Sequence, residues 1–169
     1  MRSAKAIFVS KKISMKKRIL KDEPKYTQQN PDLPKAIICD LDGTLALMDG
    51  RNPFDASRCE HDTLNEPVGN LLRNYKKLGY QILLVSGREE QFKPQTLLFL
   101  EKYTIAFDML IMRKTKDFRK DAIIKTEIFN EQIKDNYFIE FVLDDRNQVV
   151  DMWRKELGLP CFQVFYGDF

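Results

Sequence analysis

The sequence predicts an α/β fold, a mostly parallel sheet flanked by helices on both faces, with little or no cap domain. Three observations predict it. Five short apolar runs follow residue 35, and helical patterns separate them. The residues just past three of those runs are polar and chemistry-bearing, as in open sheets whose ligand site lies at the carboxyl ends of the strands.

Each element has its own reason. Residues 36–39 (Ala-Ile-Ile-Cys) form an unbroken apolar run of the kind buried on both faces of a parallel sheet. Asn65 offers a helix N-cap, Glu66 and Pro67 suit the first turn, and Val68, Leu71, Leu72, Tyr75 and Leu78 recur at helical spacing until Gly79. Residues 81–86 are the next strand, 94–103 a helix and 109–112 a strand. Residues 119–134 read as one helix, with Ile123, Ile124 and Phe129 on one side. A strand over 140–143, a helix over 146–157 closed by Gly158 and a strand over 161–165 complete the pattern.

The chain has 169 residues, 43% of them hydrophobic, which suits one folded domain. A chain of this size buries about 70% of its unfolded surface and needs no disulfide or metal staple. A single histidine, His61, and three cysteines without CxxC spacing exclude the common structural zinc sites. Cys39, Cys59 and Cys161 are too scattered for a disulfide framework and read as free thiols in a reducing compartment, which places the protein in the cytoplasm. No apolar stretch approaches the ~20 residues that span a bilayer, so no membrane partner is expected.

Charge divides the chain. Residues 1–35 carry ten basic side chains against three acidic ones, +7, and the overall +3 leaves −4 for the remainder. With Pro24, Pro31 and Pro34 near its end, the segment over 1–34 reads as a basic arm and linker, and 35–169 as the folded domain. Such an arm is either a solvated tail or a salt-sensitive contact to phosphates.

The strand ends carry Asp40-Leu41-Asp42-Gly43-Thr44, Ser86-Gly87-Arg88 and Asp144-Asp145-Arg146. Asp40, Asp42, Asp144 and Asp145, clustered without histidine, suit a hard cation, most simply Mg²⁺, paired with substrate phosphate. That chemistry is metal-assisted phosphoryl transfer. Asp40 is placed to act as nucleophile and form an aspartyl-phosphate. Asp42, two residues on, can protonate the leaving group and later activate water. Ser86 and neighbouring N–H groups are candidates to hold a phosphate oxygen. Lys125 would balance the developing charge, with Asp121 four residues earlier on the same helix face, a spacing that equally describes a surface ion pair.

The DxDGT box at residues 40–44, strand-terminal Ser86, Lys125 and the pair Asp144-Asp145 stand in the order of the haloacid dehalogenase (HAD) superfamily of aspartyl-phosphate phosphatases, which the sequence resembles. Closer still, residues 35–55, GYQILLVSGRE, RKDAIIKTEIF, LDDRNQVVDMWR and the terminal Gly167-Asp168-Phe169 resemble the 3′-phosphatase domain of the bacteriophage-type polynucleotide kinase-phosphatase family. The resemblance covers about four fifths of the chain.

It implies a Rossmann-like HAD fold, Mg²⁺ dependence, a phospho-aspartate at Asp40, and nucleic acid ends, a DNA or RNA 3′-phosphate, as substrate. It also implies catalytic roles for Arg51, Arg88, Asp121 and Lys125, with Thr44, Ser86, Gly87, Arg51 and Arg88 binding substrate. The chain contains no Gly-Lys pair and so no GxxxxGK[ST] loop, and 5′-kinase activity is not expected of it. The superfamily motifs alone equally permit a phosphatase of nucleotides or other small phosphoesters. A non-catalytic nucleic-acid-binding module is the reading from another class. Nothing in the sequence opposes a homo-oligomer.

Some residues have plainer readings. His61 belongs to an exposed loop, Trp153 to a core stripe with Val149, Val150 and Leu157, and Arg146 to the start of a helix. Cys39 points away from the face that Asp40 occupies.

Overall fold

A computed structural model describes residues 25–48, 50–52 and 55–167. Residues 1–24 of the basic arm, and Asp168 and Phe169 of the family resemblance, lie outside the described residues. The elements in chain order are β1 (Lys35–Cys39), β2 (Ala46–Leu47), β3 (Thr63–Leu64), α1 (Glu66–Lys77), β4 (Gln81–Glu89), α2 (Lys93–Lys102), β5 (Met109–Arg113), α3 (Asp121–Ile128), β6 (Phe138–Arg146), α4 (Asn147–Asp151) and β7 (Cys161–Gly167).

The main sheet has the order β5-β4-β1-β6-β7, and every neighbouring pair is parallel. The chain runs outward from β1 on one side and then returns to lay β6 on the other, so the carboxyl end of β1 is the topological switch point.

Alternation along the strands explains both faces. Ile37, Cys39, Ile82 and Leu84 pack with Leu72, Phe99 and Leu100 of α1 and α2. Ala36, Ile38, Leu83 and Val85 pack with Ile124, Phe129, Val149 and Trp153 on the α3/α4 side. Cys39 thus faces away from Asp40, as the strand period requires.

One irregularity in β6 matters for the site. Ala36 pairs with Ile139 and Ile37 with Phe141, so Glu140 is an extra residue. The slip reverses the parity of β6 beyond it: Phe141 and Leu143 join the α1/α2 core while Val142 joins the other. Asp144 therefore follows Val142 onto the face that Asp40 occupies.

Helix boundaries differ from the sequence reading. The helix expected over 119–134 begins at Asp121 and passes into a π-helical turn at Phe129–Ile133, closed by the Lys134 N–H on Phe129 O at 2.9 Å. The one expected over 146–157 passes into a second at Met152–Glu156. The wider turns bring the Phe129 and Trp153 rings edge to face, 6.0 Å apart at 86°. Asn65 precedes α1 but makes no capping bond with its side chain, which donates instead to Thr44 O at 2.8 Å. Residues 25–34 lie outside regular strands and helices. They are tied to the sheet through Gln29, which donates to Ile139 O at 2.9 Å and accepts its N–H at 2.8 Å. Among the described residues no helix is long and apolar enough to cross a membrane.

Candidate active site

At the switch point Asp40, Asp144 and Asp145 each offer a carboxylate oxygen within 4.8 Å of the others. All three are buried, Asp144 at 1% exposure. Lys125, reaching in from α3 and itself 2% exposed, donates to Asp40 Oδ1 at 2.7 Å and Asp144 Oδ2 at 2.8 Å. Burial alone would lower the lysine, but the Asp144 and Asp40 carboxylates outweigh it and hold the ammonium charged. Trp153, set on its π-helical turn, adds an indole N–H to Asp144 Oδ2 at 3.2 Å.

Three carboxylates against one ammonium leave a buried excess of negative charge, which costs several kcal/mol per unpaired ion unless protons or a cation answer it. Burial, with repulsion from Asp144 and Asp145, accordingly pushes the Asp40 carboxyl well above its usual range against the pull of Lys125. Asp145 is pushed to about 6 by burial and by Asp144. Its Oδ2 is buried with no hydrogen-bond partner among the described residues, as is Thr44 Oγ1. Gly43, at φ +81°, and Gly167 make room for that oxygen: a Cβ would stand 2.2 Å from it at the first and 2.6 Å at the second. An all-oxygen set of buried carboxylates with one orphaned atom fits a hard divalent cation such as Mg²⁺.

The carboxylate of Asp42 is not brought into this group. Arg88 lays Nε on Asp42 Oδ2 and Nη2 on Oδ1, both at 2.8 Å, and Arg51 Nη2 also donates to Oδ1. Asp62 receives Arg51 Nε at 2.8 Å and Nη2 at 2.7 Å, and Arg88 Nη2 at 3.0 Å. Burial would raise Asp42, but Arg88 and Arg51 outweigh it and hold the carboxyl below its usual range. Arg88 is further fixed by Thr96 Oγ1 of α2 at 3.3 Å. Its backbone N–H donates to Ser86 Oγ at 3.1 Å inside a β4 bulge, where pairing with β5 jumps from Ser86 to Glu89.

Asp121 does not pair with Lys125 as the four-residue spacing suggested. Lys125 is drawn to Asp40 and Asp144, while Asp121 accepts from Arg113 Nη2 and, at 2.9 Å, from Arg146 Nη1. It still adds to the field that holds Lys125 charged. Gly87 has to be glycine for this approach, since a Cβ there would meet Asp121 Oδ1 at 2.3 Å. Asp40, Asp42, Gly87, Arg88, Asp121, Lys125, Asp144 and Asp145 line one open crevice of about 360 Å³. Thr44, Ser86 and Arg51 are not among the residues that line it.

Residues 34–169 match the sequence pattern of the polynucleotide kinase PNKP phosphatase domain family. The chain belongs to that family. A chain in the structure of the Pnkp1/Rnl/Hen1 RNA repair complex is 57% identical and superimposes with a TM-score of 0.86, over 88% of this chain and 48% of that one. A protein of Autographa californica nuclear polyhedrosis virus, assigned as a bifunctional polynucleotide kinase/RNA ligase, is 33% identical over 141 residues, 80% of this chain and 20% of the relative. This chain therefore spans about half of the first relative and a fifth of the second. A class C acid phosphatase from Bacillus anthracis with tungstate bound shares the fold at a TM-score of 0.51 and 14% identity, over 82% of this chain and 60% of its own. As a PNKP phosphatase domain of HAD type, the chain is a phosphoric monoester hydrolase by class.

Three members of this PNKP-type site escaped the sequence reading. Asp62 comes from the segment after the DxDGT box that β2 and β3 close into a small antiparallel ribbon, and a lone aspartate there carries no motif. Arg113 ends β5 with no recognisable spacing to its partner. Trp153 sits in an apolar stripe that fully explains it as core, and only its N–H reaches the acidic centre. Arg146, expected to begin a helix, is the last residue of β6 and precedes α4, and it also reaches Asp121.

Proposed function

We infer that the chain is a Mg²⁺-dependent polynucleotide 3′-phosphatase that removes terminal 3′-phosphates from DNA or RNA through an aspartyl-phosphate on Asp40. The observation that carries this reading is the buried Asp40, gripped by Lys125 and set beside Asp144 and Asp145 at the floor of an open crevice. Membership of the PNKP phosphatase family and the likeness to a chain of an RNA repair complex support the polynucleotide end as substrate. Asp40, Asp144 and Asp145 would hold the cation, which when bound supplies charge neutralisation between carboxylate and phosphate.

The residues then divide the work. A free oxygen of Asp40 attacks phosphorus, the bond to the 3′-oxygen breaks, and Asp42 protonates the departing hydroxyl. Asp42 next takes a proton from water, which attacks the same phosphorus and releases inorganic phosphate and free Asp40. Lys125 holds Asp40 oriented and offsets charge that develops on the transferred group. Arg88 and Arg51 keep Asp42 ionised at rest. A phosphate dianion that competes for the same N–H groups loosens this clamp and raises Asp42 toward the protonated form needed by the leaving group. Asp62 holds both arginines in register, and Ser86 shapes the bulge that delivers Arg88.

Two organisational readings go with this. The basic arm over 1–34 precedes the catalytic domain over 35–169, as either a solvated tail or a salt-sensitive contact to phosphates. The three free, buried cysteines suit a reducing compartment, the cytoplasm.

The test is phosphate release with Mg²⁺ from matched DNA and RNA oligomers ending in 3′-phosphate, 5′-phosphate or 2′,3′-cyclic phosphate, alongside a 3′-mononucleotide. The 3′-phosphorylated oligomers are expected to turn over fastest. Hydrolysis of the mononucleotide with no release from any oligomer would favour a small-phosphoester phosphatase.

A further inference from the structure

Phe118 is 83% exposed on the wall of the crevice that holds Asp40, Asp144 and Asp145. Its backbone is pinned on both sides. Arg113 Nη1 donates to Asp117 O and Arg119 O, each at 2.9 Å, and Arg113 Nη2 to Asp121. The Asp117 N–H meets Lys114 O at 3.1 Å, and the Lys116 N–H, at a residue with φ 65°, meets Glu89 Oε2 at 2.8 Å. A loop held this firmly presents a phenyl ring that joins neither core, beside a phosphate-handling centre.

Charge around the ring is arranged to match. Arg119 occupies Asp117 and Glu127, while Arg113 and Arg146 occupy Asp121. Lys120 lines the crevice next to Phe118 and forms no ion pair among the described residues, nor do Lys114 and Lys116. Asp117, Glu127 and Asp121 are thus paired with arginines, Glu89 on the same wall accepts only N–H groups of Lys116 and Gln91, and Lys120 brings an ammonium outside any of these pairs. A fixed aromatic face with a free ammonium beside it matches a nucleotide: base on ring, phosphodiester on lysine.

We propose that Phe118 is a stacking platform for the base of the 3′-terminal nucleotide and that Lys120 contacts the phosphodiester on its 5′ side, so that this loop is the specificity element that separates a polynucleotide end from a bare phosphoester. The proposal rests on the polynucleotide reading above. Stacking on a π-face tolerates any base, and so this element selects for a base without selecting its identity.

The test compares kcat/KM of wild type, Phe118→Ala and Phe118→Trp on a 3′-phosphorylated oligomer and on the same oligomer with an abasic 3′-terminal residue. Phe118→Ala is expected to lower kcat/KM roughly 5- to 150-fold on the first, the range of one base stack. On the abasic oligomer it is expected to change less than about twofold, with Phe118→Trp near wild type on both. Lys120→Ala is expected to flatten the slope of log kcat/KM against log salt by about 0.7, the share of one single-strand phosphate contact. Equal loss on both substrates, or none on either, with an active wild type would overturn the roles given to this loop alone. A wild type inert on every oligomer but active on small phosphoesters would overturn the polynucleotide reading and this proposal with it.

Discussion

Lys125 Nζ donates to Asp40 Oδ1 at 2.7 Å across 85 residues of sequence, with both side chains buried. The same ammonium holds Asp144, so one cation organises the centre proposed to do the chemistry. Removing it leaves three buried carboxylates with no protein cation among them. Lys125→Met should lower kcat at least 100-fold and destabilise the fold by roughly 3–5 kcal/mol, as expected when one partner of a buried pair is removed. Urea denaturation and steady-state kinetics check both. A variant within about threefold of wild-type kcat would remove the lysine from the mechanism.

Asp42→Asn removes the proposed proton shuttle while keeping its shape. The loss in kcat/KM, which reports the steps up to departure of the leaving group, should be about 10²–10⁴-fold when that group is a sugar hydroxyl and much smaller for p-nitrophenyl phosphate, whose leaving group needs no proton. Equal losses on the two substrates would show that Asp42 does not act as the acid.

Asp62 binds both arginines that clamp Asp42. Asp62→Ala frees the guanidinium groups and leaves two buried charges without one of their partners. A fall of about tenfold or more in kcat/KM is expected, with an upward shift of the alkaline limb of its pH profile, because Asp42, which must be protonated to release the leaving group, titrates higher once Arg88 is displaced. Mg²⁺ dependence should be unchanged, since Asp62 is not among the clustered carboxylates. A Mg²⁺ requirement altered more than a few fold, with the pH profile intact, would contradict this division of labour.

Stability should depend on pH in opposite ways with and without metal. Asp145 is pushed to about 6 in the folded chain, above its unfolded value of about 3.9, so the folded state holds more protons between these limits. Metal-free protein therefore loses stability as pH rises from about 4 through about 6, because charging Asp145 in the cluster opposes folding. Saturating Mg²⁺ should restore stability above pH 6, where the carboxylates are ionised and able to bind. Thermal melts in EDTA and in Mg²⁺ at pH 5 and 7.5, with Asp145→Asn as control, measure this. The control should lose the part of the slope that Asp145 supplies, together with the metal response. A wild-type melting temperature that is the same in EDTA and Mg²⁺ at pH 7.5 would contradict the metal assignment.

Strand content and sheet type were legible because parallel strands buried on both faces are written as apolar runs. Asp40, Asp144 and Asp145 were legible because they stand at strand ends, and Lys125, on α3, because it stands in the motif order of the family that the sequence resembles. What was hidden has a physical reason in each case. The Glu140 bulge, which turns Asp144 toward Asp40, changes no residue type and so leaves no pattern. The swap of partners by Asp121 and Lys125 follows from which buried carboxylates lie nearest in space. Asp42 was expected among the metal carboxylates because it clusters with them at the strand ends, yet Arg51, nine residues on, and Arg88 of β4 hold it. The π-helical turns that seat Phe129 and Trp153 keep helical periodicity too closely to be told from one continuous helix.

The central claim is that Asp40 carries the phosphoryl group. A single-turnover reaction with an oligomer bearing a ³²P-labelled 3′-phosphate, quenched in acid during turnover and digested, measures it directly. The expected result is label on the peptide containing Asp40, labile to hydroxylamine, accumulating in Asp42→Asn and absent in Asp40→Asn. Full phosphate release with no labelled protein at any time, or release at the wild-type rate by Asp40→Asn, would contradict it.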